Sequence, residues 1–241
     1  MSKILEPVTI LIPSRYNNRL ILELNIKTIR KYTTDYPYKI IIGDAGIDKE
    51  TMDFLTQQND IEIVVCPDQK RPKDHLARIC NTKYFIFFHD DIHILRPGWL
   101  SRRVEIMETN PQIGVSGVMG NNLIPGWKWK QFIPFLPVLY KRFFPLMLMV
   151  RNETQKELDL TWSKIKGFDT GAIAYYQFCR QKKWKFKPYP FKHDIKHWGA
   201  MTWVVQHKTD HQPSKLDLNN LLLIRTEKEQ LIKKILESGQ F

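Results

Sequence analysis

Apolar residues in this chain fall into short, nearly unbroken runs separated by stretches in which apolar and polar positions alternate with a helical period. Residues 8–12 (VTILI), 39–42 (KIII), 61–65 (IEIVV), 84–88 (YFIFF) and 113–118 (IGVSGV) are the runs. Runs this short with apolar residues at both parities predict strands covered on both faces. Between them, Leu22, Ile26 and Ile29 space as one helix face, as do Leu100, Val104 and Met107, and residues 49–58 and 74–80 read as further helices. Turn-forming residues punctuate the chain at 13–18, 43–48 and 67–73. Strands alternating with helices over the first 120 residues predict βαβ units and a mainly parallel sheet flanked by helices, an α/β fold. In such sheets ligands bind beyond the carboxyl ends of the strands. The loops carrying Arg15, Asp44, Arg71 and the pair Asp90 and Asp91 all fall at such ends.

The run at 84–88 is the most informative, because His89, Asp90, Asp91 and His93 follow it directly. Adjacent carboxylates flanked by imidazoles at the end of a buried strand suit a divalent cation, Mg²⁺ or Mn²⁺. The alternative is that the two Asp residues only shape the turn, a common task for Asp.

Charge sharpens this picture. The 241 residues carry 37 Lys and Arg against 25 Asp and Glu, a formal net charge of +12, which favours anionic partners such as nucleotide phosphates, nucleic acid or an acidic membrane face. The three Cys, 66, 80 and 179, have no CxxC spacing and sit among apolar neighbours, as reduced core thiols do. The N-terminus lacks the apolar core of a signal peptide, so a cytoplasmic location is expected, and the sequon at Asn152 would matter only in a secreted chain.

The order of short motifs resembles that of family 2 glycosyltransferases of the GT-A fold. Those enzymes open with a strand and a Pro-Thr/Ser-Tyr-Asn loop, similar to Ile12-Pro13-Ser14-Arg15-Tyr16-Asn17. Their second strand ends in an Asp-rich turn, similar to Gly43-Asp44-Ala45-Gly46-Ile47-Asp48, and Ala77-Arg78 matches a later Ala-Arg segment. Their metal motif stands where His89-Asp90-Asp91 stands, followed by Pro-Gly-Trp-Leu at 97–100, and a Gly-Phe-Asp recurs at 167–169. The resemblance implies a nucleotide-sugar donor, a UDP-sugar above all. Pro13, Ser14, Arg15 and Tyr16 would line the nucleoside, and Asp44 would accept from the base or ribose. Arg71 and Arg78 would contact the diphosphate, with Lys73 either joining them or merely solvated. Asp90 would contact ribose or metal-bound water, and Asp91 would hold Mn²⁺ or Mg²⁺. A late His often completes such a site, which points to His197, with His193 as the runner-up.

The chain departs from the family where a catalytic carboxylate is expected. Ala174, Tyr175 and Tyr176 occupy that segment, which leaves Asp169 and Asp159 as candidate bases. Asp169 reads equally well as a helix N-cap, and Asp159 alternates with apolar residues as on a strand.

Residues 127–150 are dense in Trp, Phe and Leu with interspersed Lys and Arg, and three Pro break the run. That composition predicts an interfacial segment on an anionic membrane, or alternatively an insertion packed over the sheet or an oligomer contact. The expected organisation is one continuous GT-A domain. A nucleotide-sugar-binding half spans 1–120, an acceptor-side half 121–213, and an amphipathic C-terminal helix 214–241, with Leu231, Ile232 and Ile235 on its docking face. The expected activity is metal-dependent, inverting hexosyl or deoxyhexosyl transfer to a glycan or lipid-linked acceptor. A non-catalytic GT-A module and a nucleic-acid-binding protein are the alternatives. No RRM, KH or helix-turn-helix signature favours the last, so no nucleic-acid partner is expected.

Overall fold

A computed structural model describes residues 5–16, 18–121, 141–164, 170–189, 193–198, 215–239 and 241. Strands β1 (Val8–Tyr16), β2 (Tyr38–Ile47), β3 (Ile61–Val65) and β4 (Tyr84–Phe88) alternate with helices α1 (Arg19–Tyr32), α2 (Lys49–Thr56) and α3 (Pro72–Ile79). Then come β5 (Ile92–Ile94), α4 (Trp99–Thr109), β6 (Ile113–Asn121), β7 (Lys141–Arg151), α5 (Asn152–Leu158), α6 (Ala172–Cys179), β8 (Lys185–Pro188), β9 (Ile195–His197) and α7 (Lys215–Ser238). A seven-stranded sheet has the order β3-β2-β1-β4-β7-β6-β8, and β5 and β9 form a separate two-stranded ribbon. In the large sheet every pairing is parallel except those of β7, which runs antiparallel to both β4 and β6.

The all-apolar runs are strands whose two faces are both covered. On β4, Tyr84, Ile86 and Phe88 enter the cluster packed by α1 and α4, while Phe85 and Phe87 enter the opposite cluster with Leu76, Trp162 and Phe178. Two-sided burial leaves no position for a polar residue, which is why the alternation usual in half-exposed strands is missing. Helix α1 buries Leu22, Ile26 and Ile29 against the first cluster.

Four sequence expectations change here, the last of them for a cysteine. First, β1 and β2 run on through the expected turns. Pro13 pairs with Gly43 and Ser14 with Asp44, beyond Leu11, the last β1 residue paired with β4, where a missing N–H costs that ladder nothing. Second, residues 141–150 are not interfacial. They form β7 at the middle of the sheet, with Phe143 and residues 146–150 buried, while 127–140 lie outside the described residues. Third, Leu231 on α7 is exposed. The helix docks through Ile232, Ile235 and Leu236 against Ile21, Leu24 and Trp198. Cys66 and Cys80 are buried as expected, whereas Cys179 is exposed. Among the described residues, no helix is long and apolar enough to cross a membrane.

Candidate functional site

Beyond the carboxyl end of β4 the chain turns at Asp90 and Asp91 before β5 begins at Ile92. The turn brings the Asp91 side chain to that of His89 and sends Asp90 toward the end of β1. The His89 carbonyl is fixed by Asn25 Nδ2 at 2.8 Å. Ribbon β5–β9 then brings in a residue from far along the chain. Ile92 pairs with His197, and the Trp198 amide donates to the Asp91 carbonyl at 2.9 Å. The result places His197 Nε2 3.2 Å from Asp91 Oδ2, and His89 Nδ1 3.8 Å from Asp91 Oδ1. One ligand atom from each of the three residues lies within 4.8 Å of the others. His93, the remaining imidazole of this stretch, is structural: its Nδ1 accepts from Trp198 Nε1 at 2.8 Å and thereby pins the ribbon.

The electrostatics suit a cation. Burial and the charge on Lys73 pull His89 down to about 3, so its ring is neutral, the form that ligates metal. Burial opposes ionisation of Asp91, but the hydrogen bond from His197 outweighs it and holds this carboxyl below the usual range. Asp91 Oδ1 and His89 Nε2 are buried with no hydrogen-bond partner. Buried polar atoms are seldom left so, and each such atom calls for an explanation. Two imidazoles and one carboxylate are a sound donor set for a divalent transition-type ion such as Mn²⁺.

Asp90 turns toward the end of β1. Its Oδ2 accepts from Ser14 Oγ at 3.0 Å and from Asn18 Nδ2 at 2.8 Å. Burial and the Asp91 charge push it up to about 6, against the pull of those two donors and Lys73. Lys73, at the start of α3, faces the same space. Burial draws its ammonium down to about 8, and the charges of Asp90, Asp74 and Asp91 oppose that shift. Arg15 sits in a bulge of β1, between Ser14 and a Tyr16 with φ 59°, and its Nε is buried without a partner. Bulges re-aim side chains next to functional sites. Pro13 is half-buried beside Ser14 on the same rim. Asp44 lies on the neighbouring strand end, where its Oδ1 accepts from the amides of Gly46 at 2.9 Å and Ile47 at 2.8 Å. One of its oxygens thus shapes the turn, and none of its described hydrogen bonds uses the other.

Other expected residues fall elsewhere. Arg78 is five residues beyond Lys73 on α3, about 7.5 Å further from the rim along the helix axis. It is exposed and lies 3.8 Å from Asp159. Asp159 is not on a strand: it caps α5 with φ 43°, exposed, and none of its described contacts is with Asp90, Asp91 or His197. Arg71 is exposed at the N-cap of α3, 3.8 Å from Asp68. His193 is exposed and stands outside the imidazole–carboxylate group. Asp169 lies outside the described residues, and the N-cap expected of it belongs to Gly171 (φ 79°), where a Cβ would meet the Phe143 carbonyl oxygen at 2.3 Å.

Sequence reasoning left His89 out of the ligand set and treated Lys73 as equally well solvated. The position of His89 directly after a buried strand, two residues before Asp91, was the available signal for the first. For the second it was the position of Lys73 in the first turn of a helix that starts at the ligand-binding rim.

No sequence-family model matches this chain, and no curated protein does. Solved structures do. Residues 1–349 of TarS from S. aureus superpose with a TM-score of 0.56 at 12% identity, covering 91% of this chain and 70% of that one. The same protein with UDP-GlcNAc gives 0.56 at 11% identity, over 91% and 71% of the two chains. The mannosyltransferase PcManGT from Pyrobaculum calidifontis, in complex with GDP-Man and Mn²⁺, gives 0.57 at 14% identity over 85% of this chain and 61% of its own. The chain therefore spans less than two thirds of that mannosyltransferase. The fold shared with these glycosyltransferases is GT-A, as the motif order implied.

Proposed function

We propose that this protein transfers a sugar from a nucleoside-diphosphate donor to an acceptor hydroxyl, with a divalent cation bound by His89, Asp91 and His197. The observation that carries the reading is that group of three at the carboxyl end of β4, with buried ligand atoms left unpartnered in a GT-A fold. A bound Mn²⁺ or Mg²⁺ would act as a Lewis acid toward the diphosphate leaving group. The protein supplies the rest. Ser14 and Asn18 fix Asp90, the free oxygen of Asp44 accepts from ribose or base, and Pro13 and Tyr16 flank the nucleoside. Lys73 and Arg15 offer positive charge to the diphosphate. In the reaction the acceptor oxygen bonds to the anomeric carbon and the bond from that carbon to the diphosphate breaks. The nucleoside diphosphate leaves with the electron pair, and the acceptor proton passes to a base. Asp169 is the proposed base, and a single displacement of this kind inverts the anomeric centre. A UDP-hexose or UDP-deoxyhexose is the preferred donor, and a glycan or lipid-linked saccharide the acceptor. Residues 127–140 would meet an anionic membrane surface near such an acceptor. Failure of the intact protein to bind anionic liposomes at low salt would remove that contact.

A non-catalytic nucleotide-sugar-binding module is the second reading, favoured by one feature: the first turn of α6 carries no acid. Thermal melting with UDP, GDP or TDP, with and without Mn²⁺, separates the readings. A nucleotide at 100 times its Kd adds about 2.7 kcal/mol of stability. A shift with Mn²⁺ and donor turnover supports the enzyme, and a shift without turnover supports the module. The absence of a shift with every nucleotide overturns both.

A further inference from the structure

Ribbon β5–β9 has a second end. There the Leu95 amide donates to the Asp194 carbonyl at 2.8 Å, three residues before His197 and so about 10 Å along the ribbon from the metal-ligand group. Asp194 is buried, and cations surround it. Arg96 Nε reaches its Oδ1 at 2.8 Å and Arg102 Nη2 reaches the same oxygen at 2.9 Å, while Tyr189 OH donates to Oδ2 at 2.7 Å. Both oxygens of Asp194 are therefore taken.

Arg103, next along α4, receives nothing. It is 0% exposed, and its Nε, Nη1 and Nη2 have no hydrogen-bond partner. Its guanidinium lies 4.1 Å above the centre of the Tyr189 ring. Arg102 Nε is likewise buried and unpartnered. Trp184 and Phe186 pack into the cluster on the far side of the sheet, so strand alternation turns Lys185, Lys187 and Tyr189 toward the α4 side. Three guanidiniums, those of Arg96, Arg102 and Arg103, thus stand at one acid and its tyrosine partner, and the acid's acceptor oxygens are already in use. A buried guanidinium with three unused nitrogens is strongly disfavoured unless something on it accepts.

We infer that Arg96, Arg102 and Arg103, with Tyr189 behind them, form an oxyanion subsite that takes a phosphate group. Arg96 and Arg102 meet at one oxygen of Asp194, and Arg103 stacks on the Tyr189 that holds the other; guanidiniums grouped in this way suit a tetrahedral phosphate, which offers oxygens in several directions at once. At about 10 Å from the metal-ligand group the subsite is too far for the donor's own diphosphate to fill while the metal is engaged, so the phosphate belongs to the acceptor. That assignment rests on the glycosyl-transfer reading; the anion site itself does not.

Calorimetric titration with sodium phosphate, and with sodium acetate at matched ionic strength, tests this on the full chain. The wild type should bind one phosphate per chain saturably and acetate at least tenfold more weakly. Arg103→Met should lose phosphate binding and, without phosphate, melt no lower than wild type, because it removes donors that nothing satisfies. Arg102→Gln changes a partly exposed residue, keeps the measurement available should Arg103→Met fail to fold, and should weaken phosphate about tenfold. Asp91→Asn should bind phosphate as the wild type does. Absence of saturable phosphate binding, equal binding of acetate, or binding that survives unchanged in Arg102→Gln overturns the subsite, as does loss in Asp91→Asn alone. A protein that binds phosphate here yet turns over no nucleotide sugar would keep the subsite and fail the transferase reading.

Discussion

The two ends of the β5–β9 ribbon are opposites. At one end, Asp90 and Asp91 lie side by side, and two imidazoles, two neutral donors and Lys73 gather round them. At the other, one acid, Asp194, is surrounded by arginines. The first end has acceptors to spare and the second has donors to spare. A ribbon of three residues per strand contributes little stability of its own, yet it sets the spacing between these two imbalances. Unpaired charge of either sign is costly to bury, and that cost is the ground for proposing a ligand at each end.

The sharpest way to break the contrast is Asp91→Asn. If the acid end works as a cation site, transfer should fall by about 10²–10³-fold or more, with folding intact and Mn²⁺-dependent nucleotide binding weakened. Steady-state kinetics with Mn²⁺ titration checks this, and near-normal turnover would take Asp91 out of the site. Core packing provides the next effect in size. Phe143→Ala removes a ring packed against Trp162, Tyr175, Phe178 and Phe186, and should cost about 3–5 kcal/mol in denaturant unfolding. A loss under 1 kcal/mol would show that β7 does not sit in the core.

Asp194 tests the basic end through pH. Burial alone would raise its carboxyl, but Tyr189, Arg96 and Arg102 hold it below 3.8 in the folded protein. The unfolded chain therefore takes up a proton at higher pH than the folded one. The resulting stability is fully present above about pH 4 and is lost as pH falls through the lowered folded value. Asp194→Asn should cost about 2 kcal/mol at pH 7 and flatten the acid limb of a stability–pH curve. An unchanged acid limb would show that the arginines do not engage this carboxylate in solution. The smallest expected effect is that of Asp44→Ala, which should raise the donor KM about tenfold with kcat little changed, because a contact to base or ribose is equally present in ground and transition states. A collapsed kcat at constant KM would contradict that role.

Most of the parallel half of the sheet was legible in the sequence, because strands buried on both faces print continuous apolar runs. Strand lengths were less legible. Pro13 and Gly43 look like stops, yet they lie where β1 and β2 pair only with each other and a missing donor or side chain is tolerated. Strand β7 was misread for the same physical reason that β4 was read correctly. Its run is apolar at both parities, and Pro145 with the flanking Lys141 and Arg142 suggested a surface segment. The candidate site was half legible. Asp90 and Asp91 stand out locally, but His197 reaches Asp91 across 106 residues through two strands too short to leave a period-2 signature. The buried, unsatisfied state of Arg103 has no local signal at all.

The placement of β7 also constrains how the chain can be made. Six strands emerge before it, but only β1 to β4 pair into a sheet without it, and β4 ends that sheet with five apolar residues whose outer hydrogen-bonding edge is open. That edge is closed only when residues 147–151 arrive and pair with 84–88. Until then the nascent chain carries a flat, hydrophobic template for pairing with a neighbour. Closing it requires a contact across about 60 residues, which is slow by the standards of local pairing. Translation up to residue 120 therefore yields an aggregation-prone intermediate, and a fragment 1–120 cut at the apparent half-way point would precipitate rather than bind nucleotide.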